Sequence, residues 1–395
     1  MIQKDYTDSF ILNALNLPTI SDLDSLSDAL AISKRLIFLL TKKTENYYKR
    51  FYIEKRDGTS REILSPTYSL KLIQRWILKE ILEKVSVSEQ AMAYKKGKNN
   101  GIKKNAMHHR YSLYILEMDI KDFFHSIKRE RVFYLFKNLG YNNMVSNVLT
   151  NLCTYNGYLP QGGVCSPYIS NLICYRLDNR LSGLCGKRDI LYTRYADDLT
   201  FSSDNKQTLT KAANIIINII EDEGFKVNKN KTRLLSPGSH KKITGITVND
   251  SKIKASKQLK RTVRAMIHQA IVTADYSQID RIRGIVSYIN SIEVGYREKI
   301  ITYINNLSNK DYAFFEEIVE QFNDNKIFKE VQNMHYKGIR YDYDDQVRQG
   351  LLEKIVSTRQ EYLEKIGKAD FLSAHIKSQQ DEFKTNAAAT KEFYE

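Results

Sequence analysis

Two adjacent carboxylates, Asp197 and Asp198, follow Tyr195 and Ala196 between two short apolar runs, 190–193 and 199–202. The pattern predicts two strands joined by a tight turn, with the acids at its tip. Like charges held side by side are costly unless a cation lies with them. A divalent metal removes that cost, and Mg²⁺ takes one or two carboxylates together with substrate phosphates. The chemistry indicated is metal-assisted phosphoryl or nucleotidyl transfer. An Asp-Asp pair at a turn also describes an ordinary solvated loop, so a further carboxylate from another element is required. The segment LYILEMDI at 113–120 reads as an apolar strand ending at Asp119, 78 residues before Asp197. Two metals roughly 3.5–4 Å apart between such acids would stabilise the attacking and leaving oxygens of an in-line displacement. That chemistry depends on positioning and charge stabilisation more than on covalent catalysis.

Several elements must position these acids. Residues 1–45 carry Leu23, Leu26, Leu30 and Ile32 at helical spacing. The segment IEKRDGTSREILSP at 53–66 predicts a β-hairpin turning at Asp57-Gly58. An amphipathic helix is expected over 70–85, with Trp76 in the core. Lys95, Lys96, Lys98, Lys103 and Lys104 form a basic, glycine-containing loop suited to RNA, and 129–155 reads as helices. Beyond the acids, Leu259, Val263, Met266, Ile267 and Ala270 fall on one helical face, while Lys257, Lys260, Arg261 and Arg264 project elsewhere. Such a helix suits a nucleic-acid backbone. Helices are also expected over 279–292, 299–307, 314–322 and 347–366. The stretch 341–345 reads as an acidic, aromatic surface loop, and the last dozen residues as a frayed end.

The order of motifs resembles the palm of reverse transcriptases: MDIKDFF, then LPQGGVCSPYISNLI at 159–173, RYADDLTFSS at 194–203 and GFKVNKNKT at 224–232. The resemblance implies an α+β, right-hand polymerase with a mostly helical C-terminal extension. Residues 1–45 would be an N-terminal helical segment and 46–111 the fingers. The palm would be 112–250, with inserted fingers helices at about 129–158, followed by a helical thumb at 251–310. Residues 311–395 would be the extension. It further implies Asp119, Asp197 and Asp198 as catalytic acids, and two Mg²⁺ ions held by Asp119, Ile120, Asp197 and Asp198. Lys55, Arg61, Phe124, Gln161 and Lys231 would bind the incoming dNTP. Phe124 would exclude a 2′-hydroxyl, because a ring fills the space that group needs. The turn Gln161-Gly162-Gly163 would pack on the nascent base pair.

Two segments narrow the resemblance. Asn105-Ala106-Met107-His108-His109 has an N-A-x-x-H pattern, and Ile243-Thr244-Gly245 follows the palm. Both resemble signatures of retron reverse transcriptases, with Ile243 in place of the usual Val. That family implies a structured noncoding RNA partner, priming from a guanosine 2′-hydroxyl and a branched DNA–RNA product (msDNA). It also implies phage defence together with a separate toxic effector protein. Asn105 and His109, with Lys257, Lys260, Arg261 and Arg264, are the expected RNA contacts. A group II intron maturase would need a Cys/His nuclease domain after the thumb, and none is evident. An RNA-binding scaffold or antitoxin is the rival from another class, and the intact set of three acids argues against it.

Composition agrees with a polyanionic partner. The net charge is +15, and it is unevenly spread. Residues 311–395 hold 12 Lys+Arg against 17 Asp+Glu, a net of −5, which leaves +20 on 1–310. The basic part is therefore the polymerase part. The acidic extension is expected to contact a protein partner or another protomer. Cys153, Cys165, Cys174 and Cys185 lack metal-ligand spacing and read as reduced, buried thiols of a cytoplasmic protein. The N-terminus has no apolar leader core, and no apolar run is long enough to span a membrane.

Overall fold

The computed structural model describes residues 5–54, 58–97, 100–273, 275–308, 315–323, 331, 357 and 361. The chain divides into two compact units, Met1–Ile253 and Lys254–Glu395.

In the first unit, strands β1 (Tyr48–Glu54) and β2 (Ser60–Pro66) form an antiparallel hairpin with Glu54 opposite Ser60. The expected turn glycine, Gly58, has φ +78, a conformation that favours glycine. The strand begins at Tyr48, five residues before the expected start. A four-stranded antiparallel sheet follows, from β3 (Tyr114–Asp119), β4 (Leu191–Tyr195), β5 (Asp198–Ser203) and β6 (Arg233–Leu235), in the order β4-β5-β3-β6. A second small sheet contains β7 (Lys242–Ile243), β8 (Ile246–Asn249) and β9 (Lys252–Lys254).

The larger sheet stands on a core that the sequence supplies at alternating positions. Leu116, Met118 and Ile120 on or beside β3, and Leu199 and Phe201 on β5, are buried. They join Leu177 and Leu181 of the Tyr175–Gly186 helix and Leu209, Ile216 and Ile220 of the Lys206–Asp222 helix. Each fully buried side chain of this size contributes about 1.5–3 kcal/mol, so the strands that carry the acids are anchored from behind. The same core continues through Leu70, Ile73 and Ile77 of the Tyr68–Glu80 helix to Val145, Leu149 and Leu152 of the Asn143–Cys153 helix. The Tyr68–Glu80 helix ends earlier than expected, passing into a 3-10 turn at Leu82–Lys84. Trp76 is half-buried against the core, and all four cysteines are free and buried.

In the second unit, helices Lys257–Thr273, Ile279–Ile292 and Tyr296–Ser308 pack on one another. The anticipated stripe is buried at Val263, Ile267 and Ala270, and extends to Ile271 and Val272. A further helix spans Phe315–Asn323. The helix expected over 347–366, the acidic stretch 341–345 and the chain end lie outside the described residues, apart from Ser357 and Glu361. Among the described residues, no helix is long and apolar enough to cross a membrane.

Candidate active site

Sheet register brings the three acids together. Asp119 ends the central strand β3 directly opposite Asp198, the first residue of β5. Tyr195 pairs with Asp198, so β4 and β5 are joined by a two-residue turn, Ala196-Asp197. Ala196 has φ +59, a sparsely populated conformation for a residue with a Cβ. The Ile120 N–H donates to the Asp197 carbonyl at 2.9 Å, tying the turn to the end of β3. The expected hairpin is therefore present, with Asp197 in the turn and Asp198 on the strand.

The electrostatics follow from this crowding. Desolvation raises the Asp197 carboxyl above its usual range, and the Asp119 charge adds to the effect. Asp198 is pushed up to about 7 by desolvation, then by Asp197 and Asp119. Its side chain touches water, yet it stands on a wall of protein beside two other carboxylates, so it is only partly hydrated. The Lys231 ammonium donates to Asp119 Oδ2 at 2.7 Å, and Asn228 Nδ2 donates to Asp119 Oδ1 at 3.2 Å. The hydrogen bond to Asp119 raises the Lys231 pKa. A cleft of about 360 Å³ runs over this side of the sheet, walled by Asp119, Asp198, Lys231, Arg233, Lys242 and Thr244.

The donor set suits a hard divalent cation: neighbouring carboxylates, two of which, Asp197 and Asp198, hold their protons more tightly because they are desolvated and crowded by like charge. Among the described residues, no three His, Cys, Asp or Glu side chains already surround a common point. Asp119 is instead turned to Lys231 and Asn228, so a cation would compete with an ammonium for this carboxylate.

The other expected residues are placed unevenly. Arg61 is exposed on β2, and its charge lowers the Asp197 pKa, so the hairpin brings it within electrostatic reach of the acids. Lys55 lies outside the described residues. Phe123 is buried against Phe225 with ring centroids 5.9 Å apart, whereas Phe124 is half-buried. The second ring is thus the one presented beyond the core. The Gln161 carbonyl accepts from the Leu64 N–H at 2.8 Å. A Cβ on Gly162 would lie 2.7 Å from the Leu64 carbonyl. The close approach that this glycine permits is therefore to β2 itself, locking the 161–163 turn onto the hairpin.

Asn105 and His109 correct an expectation. Their exposures are 1% and 0%, which leaves no surface for RNA. The two ring nitrogens of His109 lie 2.7 Å from the hydroxyls of Ser202 on β5 and Thr193 on β4. Thr193 donates to Asn105 Oδ1 at 2.5 Å, and Asn105 Nδ2 donates to Thr244 Oγ1 at 3.4 Å. Burial drives the His109 pKa down to about 3. The spacing of four puts both side chains on one face of the Ile102–His108 helix and its cap, and that face is turned to the sheet. A polar pair at helical spacing specifies a shared direction but not whether solvent or protein lies there.

In the second unit, Lys257, Arg261 and Arg264 are exposed. Lys260 instead donates to Glu293 at 2.7 and 3.0 Å and is half-buried. Its ammonium is committed to holding two helices together. Sequence reasoning missed Asn228, Tyr94 and Arg194. Tyr94 has φ +62, and burial, then Asp197, raise its phenol to about 12. Arg194, a lone charge inside an apolar strand, was the signal available for a buried ion pair.

The family model described as reverse transcriptase (RNA-dependent DNA polymerase) matches residues 53–270. The chain is 36% identical to the Retron Ec86 reverse transcriptase of Escherichia coli, covering 78% of this chain and 97% of that one. It is 33% identical to the Retron Mx65 reverse transcriptase of Myxococcus xanthus, covering 64% and 63% respectively. Among solved structures, a Candida albicans telomerase superposes with TM-score 0.39 at 12% identity, over 84% of this chain and 66% of that one. The family match and the identity to Ec86 are decisive: the chain belongs to the retron reverse transcriptases, RNA-directed DNA polymerases of the right-hand α+β fold.

Proposed function

We propose that this polymerase binds a structured noncoding RNA, starts DNA synthesis from a 2′-hydroxyl of that RNA and makes a branched DNA–RNA product. The observation that carries the catalytic part is the register that sets Asp119 opposite Asp198, with Asp197 in the adjoining turn. Asp119, Asp197, Asp198 and the Ile120 carbonyl would hold two Mg²⁺ ions. When bound, such ions stabilise charge on the attacking and leaving oxygens of an in-line displacement.

The protein's own groups divide the remaining work. Lys231, already drawn to Asp119, would move to phosphate oxygens once that carboxylate is otherwise engaged. Arg61 on β2, together with Lys55, would meet the triphosphate. Phe124, held edge-on by Phe123 at 5.3 Å, would press on the sugar and exclude a 2′-hydroxyl. Gln161, fixed by its bond to Leu64, would bear on the nascent base pair. Lys257, Arg261 and Arg264 would follow the RNA backbone. As the resemblance of its signature segments implies, the enzyme would act in a phage-defence system with a separate toxic effector. Residues 311–395 would serve there as the protein-contact segment, and the cytoplasm would be the site of action.

The test is the nucleic acid that copurifies when the protein is expressed with its native flanking noncoding DNA. One half is treated with RNase, the other with DNase, and both are run on a denaturing gel. A discrete DNA that shifts with RNase and vanishes with DNase is expected. RNA alone would overturn the priming reading, and a loss of DNA product in Asp197→Asn would tie the product to this site.

A further inference from the structure

Among the described residues, Arg194 is the largest side chain that is fully buried, and it stands three positions before Asp197. Its backbone is fixed on both sides. Its N–H donates to the Gln90 carbonyl at 2.8 Å, and its carbonyl accepts from the Met92 N–H at 2.7 Å. Its guanidinium is used completely in one direction. Nε and Nη2 form a two-pronged pair with Asp178 at 2.8 and 2.7 Å, and both side chains are 0% exposed. Nη1 faces the other way, donating to Asn171 Oδ1 at 3.1 Å and to the Ala196 carbonyl at 3.3 Å.

Buried ion pairs are weak evidence for stability, because apolar side chains of similar size often serve as well. The bond to Ala196 gives this pair a more specific purpose. Ala196 is the residue with φ +59 in the two-residue turn that presents Asp197. A left-handed alanine persists only where its surroundings over-determine it. Asp178 and Asn171 come from the helices behind the sheet, so the guanidinium connects rigid helices to the strained peptide. Asn171 also donates to the Ala93 carbonyl at 2.9 Å, extending the brace to the edge segment beside β4.

We propose that Arg194 is a positioning residue for the polymerase reaction: it clamps the Ala196 carbonyl and so holds Asp197 in the turn beside the Asp119–Asp198 pair. Arginine is required because one planar fork serves Asp178 while its remaining nitrogen reaches the turn, a division that a lysine ammonium cannot reproduce. The inference rests on the reading of Asp119, Asp197 and Asp198 as the catalytic acids.

The test compares wild type, Arg194→Lys, Arg194→Lys with Ala196→Gly, Asn171→Ala, Tyr192→Phe and Asp197→Asn. Three readouts are taken on a DNA primer annealed to an RNA template: kcat, KM for dNTP and the Mg²⁺ concentration for half-maximal extension. Amide exchange of the 193–199 peptide is followed in metal-free buffer. Arg194→Lys is expected to lower kcat by about 10–100-fold, raise the Mg²⁺ requirement and speed exchange, with KM for dNTP little changed. Adding Ala196→Gly should recover part of the kcat loss, since glycine adopts the turn without the clamp. Tyr192→Phe removes a different bond to Asp178, from the Tyr192 hydroxyl at 2.8 Å. It should lower the melting temperature without moving the Mg²⁺ requirement.

If Arg194→Lys does not fold, Asn171→Ala decides, because it removes the partner that orients Nη1 toward the Ala196 carbonyl while leaving the ion pair with Asp178. A folded variant with wild-type kcat and Mg²⁺ dependence overturns the proposal, as does an equal Mg²⁺ shift in Tyr192→Phe. Normal extension by Asp197→Asn would instead overturn the assignment of the acids, independently of Arg194.

Discussion

Asp119, Asp197 and Asp198 gather negative charge at one end of the sheet, and among the described residues Lys231, Asn228 and Arg61 relieve it in part. Desolvation first, and then this imbalance of charge, raises the Asp197 and Asp198 pKa values. Asp197→Asn removes one carboxylate charge from the site. It is expected to reduce primer extension by about 100-fold or more, with RNA affinity within twofold by filter binding. The same imbalance has a pH signature. A carboxyl group that holds its proton more tightly when folded adds stability where it is protonated. For Asp198 that contribution is complete below the ordinary carboxylate range and is lost as pH rises through about 7. In EDTA, wild type should therefore lose thermal stability relative to Asp198→Asn between about pH 5 and 8. Added Mg²⁺ should raise the melting temperature more at pH 8 than at pH 6. A flat difference between the two proteins would refute the assigned environment.

At the scale of elements, the Ile102–His108 helix is stitched to β4 and β5 by a chain of hydroxyl, imidazole and amide groups rather than by apolar contacts alone. His109→Leu is expected to cost about 1–3 kcal/mol, read as a lower denaturation midpoint. RNA affinity of the folded variant should be unchanged. A tenfold loss of affinity would restore the view that this histidine serves RNA. The sign with pH is opposite to that of Asp198. Burial keeps His109 neutral, so its contribution is present above the ordinary imidazole range and is lost as pH falls below about 6.5. The substituted protein should lack that acid-side loss. The same network joins the N-A-x-x-H segment to Thr244, so the two signature segments meet through Asn105 rather than acting separately.

At the scale of the whole molecule, charge is partitioned along the chain, and the RNA contacts proposed for the exposed cations of the Lys257–Thr273 helix can be tested one by one. Arg261→Ala and Arg264→Ala should each weaken RNA binding and reduce the slope of log affinity against log salt by about 1. Lys260→Ala should leave that slope unchanged and lower the melting temperature, because its ammonium is held by Glu293. Equal salt slopes for all three variants would contradict this division of roles.

The sequence alone determined the acids, the strands that end in them and the apolar stripes of the helices. Those features are local: a period of two or 3.6 and a turn flanked by apolar runs are written in neighbouring residues. Register put Asp119 opposite Asp198, but the ordered appearance of the motifs already implied that meeting. Only the tertiary structure decided the fate of polar residues. Asn105, His109, Lys260 and Arg194 are of types that prefer water, and their use inside the protein depends on partners 33 or more residues away, or on helices behind a strand. Burial of a polar group is set by the satisfaction of its hydrogen bonds, and no local pattern records where those partners will be.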